Sequence, residues 1–404
     1  MYYKLMVLEK NSSTIHCNSF SSENDKKAGF TLSKEFKRFN QRNDIFTRAF
    51  WDKLIKNKDT ELFFSSYRNQ PTPKNSIGFK QKDFALRNAS WSVSDIISNR
   101  NTNLGLREGF QSIIQNDTPI AKTKIEINDI EVFTKEIKKI AKLFGADLVG
   151  ITPIDERWHY SHYVNTLNYN AIKNNLPKSL KLVIVLGHSM NKDLVDTYPS
   201  ALAGASTGLE YSKEASIVTL LTSYIKGLGY AAMGSMNDTA LVIPYAIKAG
   251  LGEYARNQMV ITPEFGPRVR FSKIFTDLPL ITDEPKKFGI TEFCNICNKC
   301  AVSCPPKAIP FGEPEFSDNS SISNIKGVKK WTANCEKCFG YWSKIKTDCA
   351  ICMRVCPFNR DYKNIEAKIF WRIATSFLRK LAYWWDKHYF SSKRVRPSLW
   401  WKSL

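Results

Sequence analysis

Long apolar runs are missing from this 404-residue chain. No stretch reaches the ~18–20 uncharged apolar residues that a membrane-spanning helix needs, so no such span is predicted. From Met1 to Phe20 there is no charged head followed by an apolar stretch, and no twin-arginine pair. No export signal is readable there, and the chain as written is expected in the cytoplasm. The glycines Gly204, Gly208, Gly227, Gly229, Gly250 and Gly252 are not spaced as G-x-G-x-x-G or as a P-loop, so no phosphate-binding loop is read from them. Before Cys294, Cys17 is the only cysteine. That distribution excludes a dispersed disulfide framework.

What is present is a foldable and basic chain. Hydrophobic residues make up 43% and aromatics 13%, enough for a substantial core and too much for wholesale disorder. The length suits two or three domains. Lys and Arg exceed Asp and Glu by 59 to 38, a net charge of +21. Such a balance suits nucleic acid, an anionic membrane face or anionic substrates. The lysines are scattered, however, which fits a solvated surface.

Residues 1–125 are polar, with apolar patches at 46–54 and 89–97. They are expected to form helices and long loops wrapped on the main body, mobile at the start. A core is expected at 126–285. Phe133, Ile137, Ile140, Ala141 and Phe144 share one helical face, ended by Gly145. Strands are predicted from Asp147, at 182–186, at 230–233 and from Val269, and helices at 208–225 and 240–249. Asn237-Asp238-Thr239 reads as the N-cap of the latter. Strands alternating with helices argue for an α/β (α+β) class. The tail, 366–404, is basic and Trp-rich. It suits either a membrane surface or, in the simpler reading, docking of Phe377, Leu378, Leu381 and Trp385 on the body.

The strongest local signal lies in 286–365. Cys294-x2-Cys297-x2-Cys300-x3-Cys304-Pro305 has the spacing of two-cluster bacterial ferredoxins. Three thiolates hold one cubane, and the fourth, beside Pro, ligates the other. A second half follows at Cys349, Cys352 and Cys356-Pro357. The predicted assignment is crossed. Cys294, Cys297, Cys300 and Cys356 hold one [4Fe–4S] cluster; Cys304, Cys349, Cys352 and either Cys335 or Cys338 hold the other. Zinc sites usually pair CxxC units, without a run of three and Cys-Pro. Each four-thiolate cubane carries about −2 when oxidised, so two would bring the net charge of +21 to about +17. A lone ferredoxin does not need so long a preceding region, so electrons are expected to be delivered within this chain.

At this point the sequence resembles a known family, the reductive dehalogenases, corrinoid-dependent iron–sulfur enzymes related to epoxyqueuosine reductase. The resemblance rests on FNQRNDIFTRAFWD (39–52), LEYSKEASIVTLLTSYIKGLGY (209–230), residues 237–280 beginning NDTALVIPYAIKAGLGEYARNQ, KCFGYW before Cys349, and both cysteine motifs. It covers about 35–390. It implies a nitroreductase-like, corrinoid-binding core followed by a two-cluster ferredoxin-like domain. It implies a base-off corrinoid of the cobalamin type in the region of about 200–280, without a histidine ligand from the protein. His16, His159, His162, His188 and His388 all lack the Asp-x-His-x-x-Gly context of other cobalamin proteins. The implied reaction replaces a carbon-bound halogen of a small organohalide by hydrogen, using two electrons and one proton. The implied donor is of low potential: ferredoxin, flavodoxin or a membrane quinol system. Exported members carry a twin-arginine signal ahead of the first matched segment, and this sequence has none there.

Three positions match the family's active-site pattern. Tyr211 falls where a tyrosine donates the proton. Arg270 matches the cation that stabilises the phenolate, with Arg268 as runner-up, and Asn237 matches a residue lining the substrate pocket. A phenol of ordinary pKa near 10 needs such a cation. KCFGYW favours Cys338 over Cys335 as cluster ligand. On their own these residues have simpler readings: a core tyrosine, a helix cap and a salt-bridge arginine. The main rival function is an epoxyqueuosine-reductase-like tRNA modification enzyme, to which the basic charge is suited. Against it, Tyr211 stands where an acid is expected and a C-terminal helical-repeat extension is absent. A second rival is a non-enzymatic electron-transfer or scaffold protein.

Overall fold

A computed structural model describes residues 23–67, 74–316, 321–390 and 394–403. His16, Cys17 and the start of the 1–125 segment lie outside the described residues. The core is a four-stranded sheet: β1 (Leu148–Pro153), β2 (Leu182–Ser189), β3 (Ala232–Ser235) and β4 (Val269–Thr276). Spatial order is β1-β2-β4-β3, antiparallel throughout. The α+β side of the expected class is therefore the one adopted.

The run Leu-Val-Ile-Val-Leu in β2 explains the layers. Side chains alternate across a strand. Ile184 and Leu186 join one apolar cluster with Phe133, Ile137, Val218, Leu221 and Ile274. Val183 and Val185 join another with Tyr245, Ile247, Phe271 and Phe275. The first face is covered by helices Ile130–Leu143 and Ala201–Gly227, the second by Val242–Lys248. Asp129 caps the first of these helices, accepting from the Glu131 and Val132 amides.

The long helix Ala201–Gly227 starts seven residues before its predicted start at Gly208. Gly204 and Gly208 sit inside it, one turn apart, against the preceding helices Gln81–Ser90 and Ser92–Ser98. A Cβ on Gly208 would lie 2.0 Å from Ser90 Oγ and 2.5 Å from Trp91 Cδ1. These glycines serve close helix packing. β3 runs two residues later than predicted. The cap reading of 237–239 is incorrect: the helix Val242–Lys248 begins after Leu241 without a side-chain cap. Asp238 instead accepts from the Met236 amide and the Thr239 hydroxyl within a tight turn.

The cysteine segment packs on a β-hairpin of the core, Glu253–Tyr254 with Val260–Ile261. Ala255 and Ile261 share one apolar cluster with Phe293, Trp331, Phe358 and the tail residues Phe370, Ala374 and Ala382. Full burial of each large side chain contributes about 1.5–3 kcal/mol. The docking expected of the tail is only partly observed. Trp385 packs on Phe370, but Phe377, Leu378 and Leu381 are exposed, as is Trp384. They lie where helices Ile365–Ala374 and Arg379–Tyr389 meet, and the buried face there is occupied by Phe370, Ala374 and Ala382. No helix among the described residues is long and apolar enough to cross a membrane.

Gly208→Ala tests the helix contact. Overpacking of ~1–3 kcal/mol outweighs the ~1 kcal/mol that alanine gains in a helix. The variant is expected to melt at lower temperature than wild type in a calorimetric scan.

Candidate active site and cysteine centres

Tyr211 and Glu214 are three residues apart on the long helix and so share a face. That face meets β4, which carries Arg270. The Arg270 guanidinium carbon lies 3.7 Å from the Tyr211 ring centroid, and Arg270 Nε donates to Glu214 Oε1 at 3.2 Å. Asn237 Nδ2 donates to the Tyr211 hydroxyl at 2.6 Å. Tyr211, Arg270 and Asn237, named from three separate stretches, thus converge on one phenol. Because its oxygen accepts from Asn237, the phenol's own proton is left to donate elsewhere.

The surroundings bury the phenol. Trp91 stacks on it at 4.6 Å between ring centroids, and Phe110 lies at 5.3 Å. Burial pushes the Tyr211 pKa up; Arg270 and the Asn237 hydrogen bond oppose this without reversing it. Burial works against the Arg270 charge, but Tyr211 and Glu214 outweigh it and raise its pKa. Burial raises Glu214 to about 7 against the pull of Arg270.

Asn237 is held from several sides. Its amide donates to Gly109 O at 2.8 Å and its carbonyl accepts from Tyr160 at 3.1 Å. Lys273 Nζ donates to the carbonyls of Met236 and Asp238, at 2.5 and 2.9 Å. Burial lowers the Lys273 pKa to about 8.

Arg268 does not join the group. Its guanidinium donates to the carbonyls of Met190 and Arg360, at 3.1 and 2.8 Å. It lies before the first residue of β4, so strict strand alternation from Arg270 does not place it on the same face. His188 is fully buried beside Ser272 Oγ at 2.8 Å, and burial lowers its pKa to about 3. It stands neutral.

Glu214, Trp91, Phe110 and Lys273 were not found by sequence reasoning. Glu214 had a readable signal in its three-residue helical spacing from Tyr211. The other three depend on tertiary packing and had none.

The cysteines fall into two sets. Cys294, Cys297, Cys300 and Cys356 line one small void with Ala255, Asn257, Phe293, Pro357 and Phe358. Cys304, Cys338, Cys349 and Cys352 gather with Ala301, Ala308, Ile351 and Val355, and Cys300 borders them. Cys335 turns aside, with its Sγ 3.1 Å from Asn324 Oδ1. Among the described residues no three His, Cys, Asp or Glu side chains close round a single ion. Thiols spread about a void suit a cage whose inorganic sulfides hold the thiolates apart. Burial and the neighbouring thiols raise Cys300 to about 11 and Cys338 to about 12, so protons must leave as iron enters.

An α+β core bearing a phenol–guanidinium pair, joined to two cysteine sets, has the make-up of an iron–sulfur protein. Residues 293–359 match the family described as a 4Fe-4S double cluster binding domain, and 159–280 match the reductive dehalogenase subunit family. The tetrachloroethene reductive dehalogenase of Sulfurospirillum multivorans is 36% identical over 274 residues, 61% of this chain and 54% of that protein. The epoxyqueuosine reductase of Leadbetterella byssophila is 28% identical over 250 residues, 56% of this chain and 80% of that protein. A solved catabolic reductive dehalogenase superposes with a TM-score of 0.70 at 22% identity, over 90% of this chain and 48% of that one. By sequence the chain is similar to the reductive dehalogenases, most clearly over residues 159–280, and more weakly to the epoxyqueuosine reductases. It spans about half the length of the curated dehalogenases it matches.

Glu214 gives a pH prediction. Folded, it keeps its proton up to about 7; its ordinary value is 4.5. Between these values the folded state binds more protons, so stability falls as pH rises through the window. Glu214→Gln is expected to flatten the fall in melting temperature between the two values. An unchanged slope would place the titration elsewhere.

Proposed function

We propose that this chain is a corrinoid-dependent reductive dehalogenase. The reaction is R–X + 2e⁻ + H⁺ → R–H + X⁻, on a small organohalide. The observation that carries it is the meeting of Arg270, over the ring, and Asn237, at the hydroxyl, on the one phenol of Tyr211. In this reading Tyr211 gives its proton to the substrate carbon. Arg270, over the ring, stabilises the phenolate left behind. Asn237 orients the hydroxyl and lines the pocket with Trp91 and Phe110.

The residues present fit a large polar cofactor. Glu210 Oε2, Glu214 Oε2, His188 Nδ1 and Arg268 Nε are buried without hydrogen-bond partners. Buried polar atoms are rarely left so, and a corrinoid's peripheral amides would satisfy them. A cavity of about 640 Å³ is walled by Ser189, Phe265, Arg268, Tyr362 and Trp371, and of the four residues above it borders Arg268. Residues of about 200–280 would hold the corrinoid; one solved relative was described in terms of B12-dependent dehalogenation. When bound, it would supply a low-potential cobalt centre for cleaving the carbon–halogen bond. Electrons would reach the set of Cys304, Cys338, Cys349 and Cys352 from a ferredoxin, flavodoxin or membrane quinol system. They would then pass to the set of Cys294, Cys297, Cys300 and Cys356, which shares a wall with the core. Exposed Phe377, Leu381 and Trp384 beside Lys380 and Arg372 support a peripheral membrane contact.

A second reading draws on the charge of +21: tRNA modification of the epoxyqueuosine-reductase type. Binding of an anticodon stem-loop, with no halide released, would favour it.

The test is halide release from organohalides by the cluster- and corrinoid-reconstituted chain under a low-potential reductant. Tyr211→Phe is expected to lower release at least ~100-fold, the scale of general acid catalysis, with iron content unchanged. Wild-type turnover in that variant would remove Tyr211 from the role.

A further inference from the structure

The void of the first cysteine set has two wall residues from the core, Ala255 and Asn257. Between them stands Arg256, 1% exposed. Its Nε and Nη2 donate to Cys294 O at 3.2 and 2.7 Å, and Nε also to Cys297 O at 3.2 Å. Its Nη1 donates to the carbonyls of Pro310, Phe311 and Gly312 at 2.9, 2.7 and 2.7 Å. Every acceptor is a neutral carbonyl. Buried Arg48 and Arg360 each pair with a carboxylate, whereas Arg256, like buried Arg87 and Arg268, has no ion pair among the described residues. A guanidinium taken out of water without a counter-charge is strongly unfavourable.

The same hairpin grips the other end of the cysteine helix Ile290–Ile296. The Glu253 carboxylate accepts from the amides of Phe288, Gly289, Ile290 and Thr291, at 2.8, 3.0, 3.2 and 2.9 Å. An acid sits at the positive end of the helix and a base at its negative end, as the peptide dipoles favour. Tyr254 adds a bond to Trp331 O at 3.0 Å. The cysteine helix is therefore held at both ends from outside its own segment.

We propose that Arg256 is a positioning residue for the first cluster, that this cluster is its counter-ion, and that the pairing raises the cluster's reduction potential. Four thiolates on a cubane carry about −2 when oxidised and one unit more when reduced. A fixed buried cation beside them favours the reduced form, because the attraction is little screened. The inference rests on the double-cluster assignment of 293–359 and stands apart from the dehalogenase reading.

The test uses the full chain with reconstituted clusters and an EPR-monitored redox titration of Arg256→Lys and Arg256→Gln. Lysine keeps the charge, and both midpoints are expected to stay near wild type. Glutamine removes it. One midpoint is expected to move negative by at least a tenfold change in equilibrium, about 59 mV for one electron. Loss of one cluster's iron and sulfide in Arg256→Gln but not in Arg256→Lys would support the same pairing. Two clusters with unchanged midpoints in Arg256→Gln would overturn it. Equal shifts, or equal cluster loss, in both variants would also overturn it, since charge would then not be the cause.

Discussion

The candidate active site depends on keeping one half-buried guanidinium charged against the phenol. Arg270 is enclosed by the long helix and β4, and its charge persists there because Glu214 and the Tyr211 ring supply what water otherwise would. This constraint propagates outward. Glu214 must lie one turn from Tyr211, so the helix must be regular there. The helix must approach the sheet closely, and Gly204 and Gly208 let its other face lie against the helices carrying Arg87, Ser90 and Trp91. Trp91 in turn completes the wall around the phenol.

What could be read from the sequence followed how local each signal was. Cysteine spacing encodes loop geometry directly, so the two thiol sets could be written down before any fold was known. Cys335 and Cys338 could not be separated by spacing, because both precede Cys349 on one short helix and only its orientation decides which thiol faces inward. The helix at Ile130–Leu143 and the doubly buried β2 were legible from periodicity. Tyr211, Arg270 and Asn237 were legible through family resemblance, since three residues from a helix, a turn and a strand share no local pattern. The Asn-Asp-Thr triplet misled because Asp238 closes a turn on Met236 while Asn237 reaches back to the phenol. Local chemistry suggested a cap, and tertiary contact determined the outcome. The antiparallel sheet was equally hidden, because helix–strand alternation does not fix strand direction.

Three cationic side chains, Lys273 and Arg256 buried and Arg270 half-buried, manage charge in different ways. Arg270 is paired with a carboxylate whose own pKa rises toward neutrality. Lys273 is bound to carbonyls and loses part of its basicity. Arg256 donates only to carbonyls and lies over the Trp331 ring, with no carboxylate partner among the described residues. The basic excess of the chain is thus more than a surface property, and some of its positive charge sits where cofactors of negative or polar character would complete it.

The phenol and its cation lie within residues 159–280, whereas Trp91 and Phe110 reach the same site from earlier in the chain. Wall and reactive group are therefore inherited on different stretches of polypeptide. An insertion, deletion or exchange before residue 159 can reshape the wall around the phenol while leaving Tyr211 and Arg270 untouched. Were the phenol the proton donor proposed above, selectivity in such an architecture could diversify faster than chemistry.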